Sequence, residues 1–74
     1  MNSMNIYTPK GEKVIYAYPK NGYEGNKRDA KKYLKLGEIY TIQETIVREE
    51  VTIVFLKEVP KVAFNSVQFK NLTQ

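Results

Sequence analysis

The sequence predicts a mainly β protein, with one small, partly open barrel of about five short antiparallel strands and one short helix in the first long connection. Polar and turn residues divide the chain into short apolar runs, which is typical of all-β domains. With 74 residues, the chain holds one domain at most. Such strands favour a barrel, because closure removes exposed strand edges. We expect residues 1–5 to form a flexible N-terminal tail and residues 6–74 to form the barrel.

The first strand is predicted from the run KVIYAY, residues 13–18. Alternation along a strand places Val14, Tyr16 and Tyr18 on one face. Pro19 ends this strand, since proline has no amide hydrogen to donate to a neighbour. The residues that follow contain two glycines and are expected to form a loop.

One helix is predicted, over residues 26–34. Asn26 is expected to cap its N-terminus, because the short polar side chain can accept a hydrogen bond from a free backbone N–H group. Lysines near the other end suit the negative pole of the helix dipole. Ala30, Tyr33 and Leu34 recur at helical spacing, so we expect them to face the core.

Two further strands are expected to form the main hairpin of the domain. Residues 38–47 alternate apolar and polar side chains, with Tyr40 and Ile42 facing inward. Residues 51–57 are apolar on both faces, which favours a central strand. The Arg-Glu-Glu sequence between the two runs predicts a tight turn.

The last part of the chain predicts a corner, a helical turn and a final strand. The corner is expected at Pro60. Asn65 and Ser66 favour a single helical turn, because their short polar side chains bond nearby amide groups. Phe64 and Phe69 are expected to be buried, with Phe69 on the final strand.

A spaced pattern of four residues leads into the second strand, and two phenylalanines stand near the closing end of the chain. These residues are Leu34, Gly37, Tyr40, Ile42, Phe64 and Phe69. In this pattern, residues 14–69 resemble small bacteriophage and prophage proteins that carry a Src-homology-3-like β-barrel. The resemblance implies a binding module that docks on a host bacterial protein in the cytoplasm and modulates or inhibits it. A defence nuclease, as bound by anti-CRISPR proteins, is one such target.

The composition argues against an enzyme. The chain has no histidine and no cysteine, which removes the usual proton-transfer group and the strongest nucleophile. Its eight acidic residues form no obvious catalytic pair and no calcium-loop spacing. We therefore expect no catalytic residues, no metal and no cofactor. No apolar run reaches the ~20 residues that a membrane-spanning helix needs, so no membrane contact is expected.

Positive charge is concentrated in residues 18–35. This segment holds six of the twelve Lys and Arg residues but only two of the eight acids, so its net charge of +4 equals that of the whole chain. It also carries tyrosines, which suit either a protein interface or stacked bases. The candidate partner-binding residues are Lys20, Tyr23, Lys27, Arg28, Lys31, Lys32 and Lys35.

Two functions follow from this segment. The first is docking on a host protein, as the resemblance implies. The alternative is binding of RNA or single-stranded nucleic acid, because clustered cations supply salt-sensitive phosphate contacts. The sequence leaves the identity of the partner and the oligomeric state open.

Overall fold

A computed structural model describes residues 3–72 of the chain. The elements follow in the order β1 (Lys13–Tyr16), α1 (Glu24–Tyr33), β2 (Ile39–Val47), β3 (Thr52–Leu56), β4 (Val59–Asn65), a 3₁₀ helix (Ser66–Gln68) and β5 (Phe69–Asn71). The five strands form one sheet in the order β4-β3-β2-β1-β5, and every neighbouring pair is antiparallel. The predicted mainly β fold, with its helix in the first long connection, is confirmed.

Strand β2 joins the two halves of the sheet. Its first half pairs with β1, where Val14 lies opposite Tyr40. A register shift between Ile42 and Glu44 interrupts the pairing of β2 with β3, as a β-bulge does. Strand β1 pairs with β2 on one side and with β5 on the other. The interior strands of the sheet are therefore β3, β2 and β1, and its edge strands are β4 and β5.

The core consists of apolar side chains from every strand and from α1. Phe64 and Phe69 lie in it fully buried, with ring centroids 6.2 Å apart at an interplanar angle of 76°. This edge-on contact is favoured by the ring quadrupoles, and Tyr16 packs against Phe69 in a tilted arrangement with ring centroids 6.0 Å apart. The buried positions of these rings and of Tyr40 and Ile42 confirm the predicted inward face.

The N-terminal residues differ from the predicted tail. Met4 is only 3% exposed and belongs to the core, and its N–H donates to the carbonyl of Phe69 at 2.8 Å. The N–H of Asn5 donates to Asn71 Oδ1 at 2.8 Å. The sequence assigned positions 4 and 5 to a flexible tail and did not reveal these contacts, because an isolated apolar residue has no periodic pattern that indicates its burial. Residues 1–2 lie outside the described part of the chain.

The predicted corner at Pro60 is also wrong. Lys57 and Glu58 form the turn between β3 and β4, and Leu56 pairs with Val59 on either side of it. Pro60 therefore lies within β4. Since β4 is an edge strand, a residue without an N–H group can occupy it without losing a bond of the sheet.

The turn between β3 and β4 is fastened to β2 by a carboxylate. Glu58 accepts hydrogen bonds from the Thr41 N–H at 2.9 Å and from the Thr41 hydroxyl at 2.8 Å. The Lys13 ammonium donates to the same hydroxyl at 2.7 Å. Desolvation alone would raise the pKa of Glu58, but the Thr41 hydrogen bonds and the charge of Lys13 outweigh it, so this pKa lies below its ordinary value.

Candidate partner-binding surface

The candidate surface lies in the connection between β1 and β2, residues 17–38, which contains α1. Both ends of this connection are bonded to the rest of the domain. The N–H groups of Ala17 and Tyr18 both donate to the carbonyl of Gln68 at 3.0 Å. At the other end, the N–H of Gly37 donates to the carbonyl of Tyr16 at 2.8 Å. The connection that contains the helix is thus hydrogen-bonded to the 3₁₀ helix at one end and to β1 at the other.

Helix α1 begins earlier than predicted. It starts at Glu24, so Asn26 lies in the first turn and is not the N-cap. Its side-chain oxygen instead accepts a hydrogen bond from the N–H of Tyr23 at 2.9 Å, as the third helical residue of a capping box does. The same oxygen accepts from Asn65 Nδ2 at 3.1 Å. This second bond connects the start of α1 to the last residue of β4, which precedes the 3₁₀ helix.

The inward stripe of α1 is narrower than predicted. Ala30 and Leu34 are buried as expected, but Tyr33 is 45% exposed. Successive helical residues are rotated by about 100°, so Tyr33 lies roughly 60° to one side of Ala30. The Lys32 ammonium lies 5.2 Å from the centroid of the Tyr33 ring, within cation-π range. The prediction that Tyr33 packs inward was wrong.

The predicted cationic residues are accessible, with Lys27 half-buried and the other five exposed. Two of them contact acids, since Lys27 Nζ lies 3.7 Å from Glu24 and Arg28 Nε lies 3.7 Å from Asp29. Exposed ion pairs of this length contribute about 1 kcal/mol at most. The surface of the helix therefore retains a net positive charge.

Part of this surface is a cleft with a volume of about 360 Å³, here named the lysine cleft. Four apolar or aromatic residues and three lysines line it. They are Tyr16, Pro19, Leu34, Leu36, Lys20, Lys27 and Lys31. Sequence reasoning found the lysines but missed Pro19 and Leu36, because neither residue belongs to a periodic pattern.

Tyr23 lies on a different surface. It is 61% exposed and lines a second groove of about 540 Å³, together with Glu49 and Glu50 of the turn after β2 and residues at the start of the 3₁₀ helix. The structure therefore divides the predicted site. Three lysines share one cleft, Tyr23 lines another groove, and the remaining cations lie outside both linings. The remaining cations are Arg28, Lys32 and Lys35.

The described residues contain no cluster suited to a metal ion, and they include one tyrosine with a raised pKa. Within residues 3–72, no three His, Cys, Asp or Glu side chains are grouped closely enough to hold a metal ion. Burial raises the pKa of the Tyr16 hydroxyl, and Tyr40 raises it further, so this hydroxyl stays protonated at neutral pH. Over the same residues, no helix combines the length and apolar character that crossing a bilayer requires.

Fold and surface together define a small mainly β domain that presents a basic helix. Comparison with protein families gives a match over residues 5–74 to the family described as Bacteriophage T4 protein Y07B. The chain belongs to that family, and the predicted phage character is confirmed at this level. Neither the curated proteins nor the solved structures gave a significant match to the chain.

Proposed function

We propose that this phage-family protein is a non-enzymatic binding module that docks on a host bacterial protein in the cytoplasm and modulates or inhibits it. One observation carries the proposal. The accessible cations of α1 adjoin exposed apolar surface, since Leu36 is 64% exposed and lines the same cleft as Lys27 and Lys31. An apolar centre with a polar rim is the usual composition of a protein interface.

At the lysine cleft, the position of the aromatic rings favours a protein over a nucleic acid, whereas outside the cleft the half-exposed ring of Tyr33 lies beside Lys32. Single-stranded nucleic acid binds where bases can stack on open rings beside positive charge. The ring that lines the lysine cleft belongs to Tyr16, which is only 3% exposed. Tyr23, whose ring is open, lines the second groove, which two glutamates and one arginine also line. The three lysines of the cleft therefore adjoin aliphatic surface and not a stacking platform.

The pairing of the strands supports the further proposal that the sheet is a Src-homology-3-like barrel. Strand β1 lies between β2 and β5, the first connection is long, and a 3₁₀ helix precedes the last strand. Such a barrel would present α1 from its longest connection. Because small barrels serve many unrelated functions, the host-protein proposal rests on the surface and the family, and not on this fold.

The proposal is tested by affinity capture from a bacterial lysate that has been treated with nuclease. A host protein should be retained by the wild-type chain and lost from the triple variant Lys20→Glu, Arg28→Glu, Lys31→Glu. The matched control is Lys10→Glu, Lys57→Glu, Lys61→Glu, which makes the same charge change at exposed positions outside residues 17–38. The control variant should retain the partner.

Two results would contradict the proposal. One is loss of the captured protein on nuclease treatment. The other is binding of a single-stranded oligonucleotide that weakens steeply with salt, because that dependence reports released phosphate counterions. Either result would favour the nucleic-acid alternative for the same basic segment.

A further inference from the structure

The lysine cleft combines two properties that together restrict what can occupy it. Its apolar lining comes from three different parts of the first connection, with Pro19 before α1, Leu34 at the end of α1 and Leu36 after it. Among residues 3–72, the titratable residues that line it are Lys20, Lys27, Lys31 and the buried Tyr16, and none of the lining residues is acidic.

The charge of the cleft is only slightly compensated. Lys27 contacts Glu24 at 3.7 Å, and water screens this pair because the Glu24 side chain is 89% exposed. Among the described residues, Lys20 and Lys31 have no acidic side chain within 4 Å. A ligand that brings carboxylates therefore meets ammonium groups that are not already neutralised.

We propose that the lysine cleft binds an acidic segment of a partner protein, with one apolar side chain inserted between Pro19, Leu34 and Leu36 and with flanking carboxylates on Lys20 and Lys31. This inference rests on the proposed function and names the chemistry of its partner. A volume of about 360 Å³ is at the lower end of the range of ligand pockets, and it is large enough to admit one apolar side chain.

Other occupants fit the same observations less well. A phosphate alone would use the lysines but would leave the aliphatic lining in water. A nucleic-acid base would find no open ring to stack on, because Tyr16 is buried. A second copy of this chain could insert its own acidic turn, which contains Glu49, Glu50 and the half-buried Val51. Each of these occupants is distinguished in the experiment below.

The test is an NMR titration of the ¹⁵N-labelled full chain with a capped pentapeptide that has phenylalanine at its centre and two glutamates on each side. Amide shifts should concentrate at Lys20, Lys31, Leu34 and Leu36. A peptide with alanine at its centre should bind about tenfold more weakly, because the inserted apolar surface is lost. A peptide with lysines in place of the glutamates should not bind.

Substitutions in the protein, at two exposed residues of the cleft, complement the changes in the peptide. Leu36→Ser and Lys31→Glu should each weaken binding of the phenylalanine peptide by roughly fivefold or more. Their matched controls are Leu72→Ser, at another exposed leucine, and Lys61→Glu, at another exposed lysine. Both controls should bind within about twofold of the wild type.

Several results would overturn the inference. They are equal binding of the phenylalanine and alanine peptides, shifts centred on Arg28 and Lys32, and tighter binding of an eight-nucleotide oligothymidine at the cleft. Concentration-dependent shifts at the cleft and at Glu49 without any peptide would identify a second copy as the occupant. Because the peptides replace the host protein, cleft binding and capture from the lysate can fail independently of each other.

Discussion

The sheet and the connection that contains α1 differ in how many of their side chains are buried in the core. In the strands, side chains such as Val14, Ile42 and Leu56 are fully buried in one shared core. In the connection, burial is concentrated at Ala30 and Leu34, while the cationic residues are accessible. Stability and surface charge are therefore carried by different residues, and substitutions can alter one without the other.

The largest expected effect is in the core of the sheet. Phe69→Ala should lower the free energy of unfolding by about 3–5 kcal/mol, because it removes a fully buried ring and leaves a cavity. A small domain has only about 5–15 kcal/mol of stability in total, so this loss should be a large fraction of it. Urea denaturation followed by circular dichroism measures the loss. The matched control Leu72→Ala, at an exposed position, should lose less than about 0.5 kcal/mol.

The next effect is at the loop that leads into α1. Gly22 has φ of 90°, and a Cβ added there would lie 3.1 Å from Asn26 Oδ1. Gly22→Ala should therefore cost about 1–2 kcal/mol, through backbone strain and displacement of the Asn26 side chain. Gly11→Ala is the matched control, because Gly11 has φ of 93° but nothing within 4 Å of its added Cβ. Equal losses in the two variants would show that the Asn26 contact has no part.

A smaller effect depends on pH. The pKa of Glu58 is lower in the folded chain than in the unfolded chain, where glutamate has a value of about 4.3. Its contribution to stability is therefore complete above the unfolded pKa and is lost as the pH falls through the folded pKa. Urea midpoints measured between neutral and acid pH should fall less steeply for Glu58→Gln than for the wild type.

Glu44→Gln serves as the control for this pH dependence. It removes a carboxylate from an exposed position of β2, where no hydrogen bond to Thr41 is involved. Its stability should follow the wild-type pH dependence. If both variants flatten the curve equally, the Thr41 bonds do not set the pKa of Glu58.

The smallest effect on stability is expected at the outer surface of the connection. The double variant Lys20→Glu, Arg28→Glu should change the unfolding free energy by less than about 0.5 kcal/mol per site, because both side chains are exposed and outside the last turn of α1. Thermal unfolding checks this value. A much larger loss would mean that the charged residues stabilise the fold. Stability and surface charge would then not be carried by different residues.

The sequence predicted the sheet well wherever alternation was unbroken. Tyr40 and Ile42 on β2, and Phe64 and Phe69 near the chain end, are buried as expected, because a period of two leaves each residue one choice of face. Pro60 was misplaced because proline is compatible both with a corner and with an edge strand, and edge position is a property of the whole sheet. The burial of Met4 was not predicted for a similar reason, since it depends on contact with β5, which is distant in the sequence.

The candidate surface was predicted in part. The accessible cations follow from their clustering in one segment, and their accessibility agrees with the structure. The division between two grooves could not be predicted, because it depends on how α1 packs against the sheet. Asn26 illustrates the difficulty, since its side-chain oxygen bonds both Tyr23 and the distant Asn65. Pro19 and Leu36 join the lysines only through that packing.

The pairing of β1 with β5 has a consequence for synthesis on the ribosome. Strand β1 is translated early, but its partner β5 and the core ring of Phe69 are translated more than fifty residues later. Met4 and Asn5 also bond residues of β5. A core that depends on such distant pairs cannot close before β5 has been synthesised. The nascent chain should therefore acquire its protease resistance only after residue 71 has left the exit tunnel.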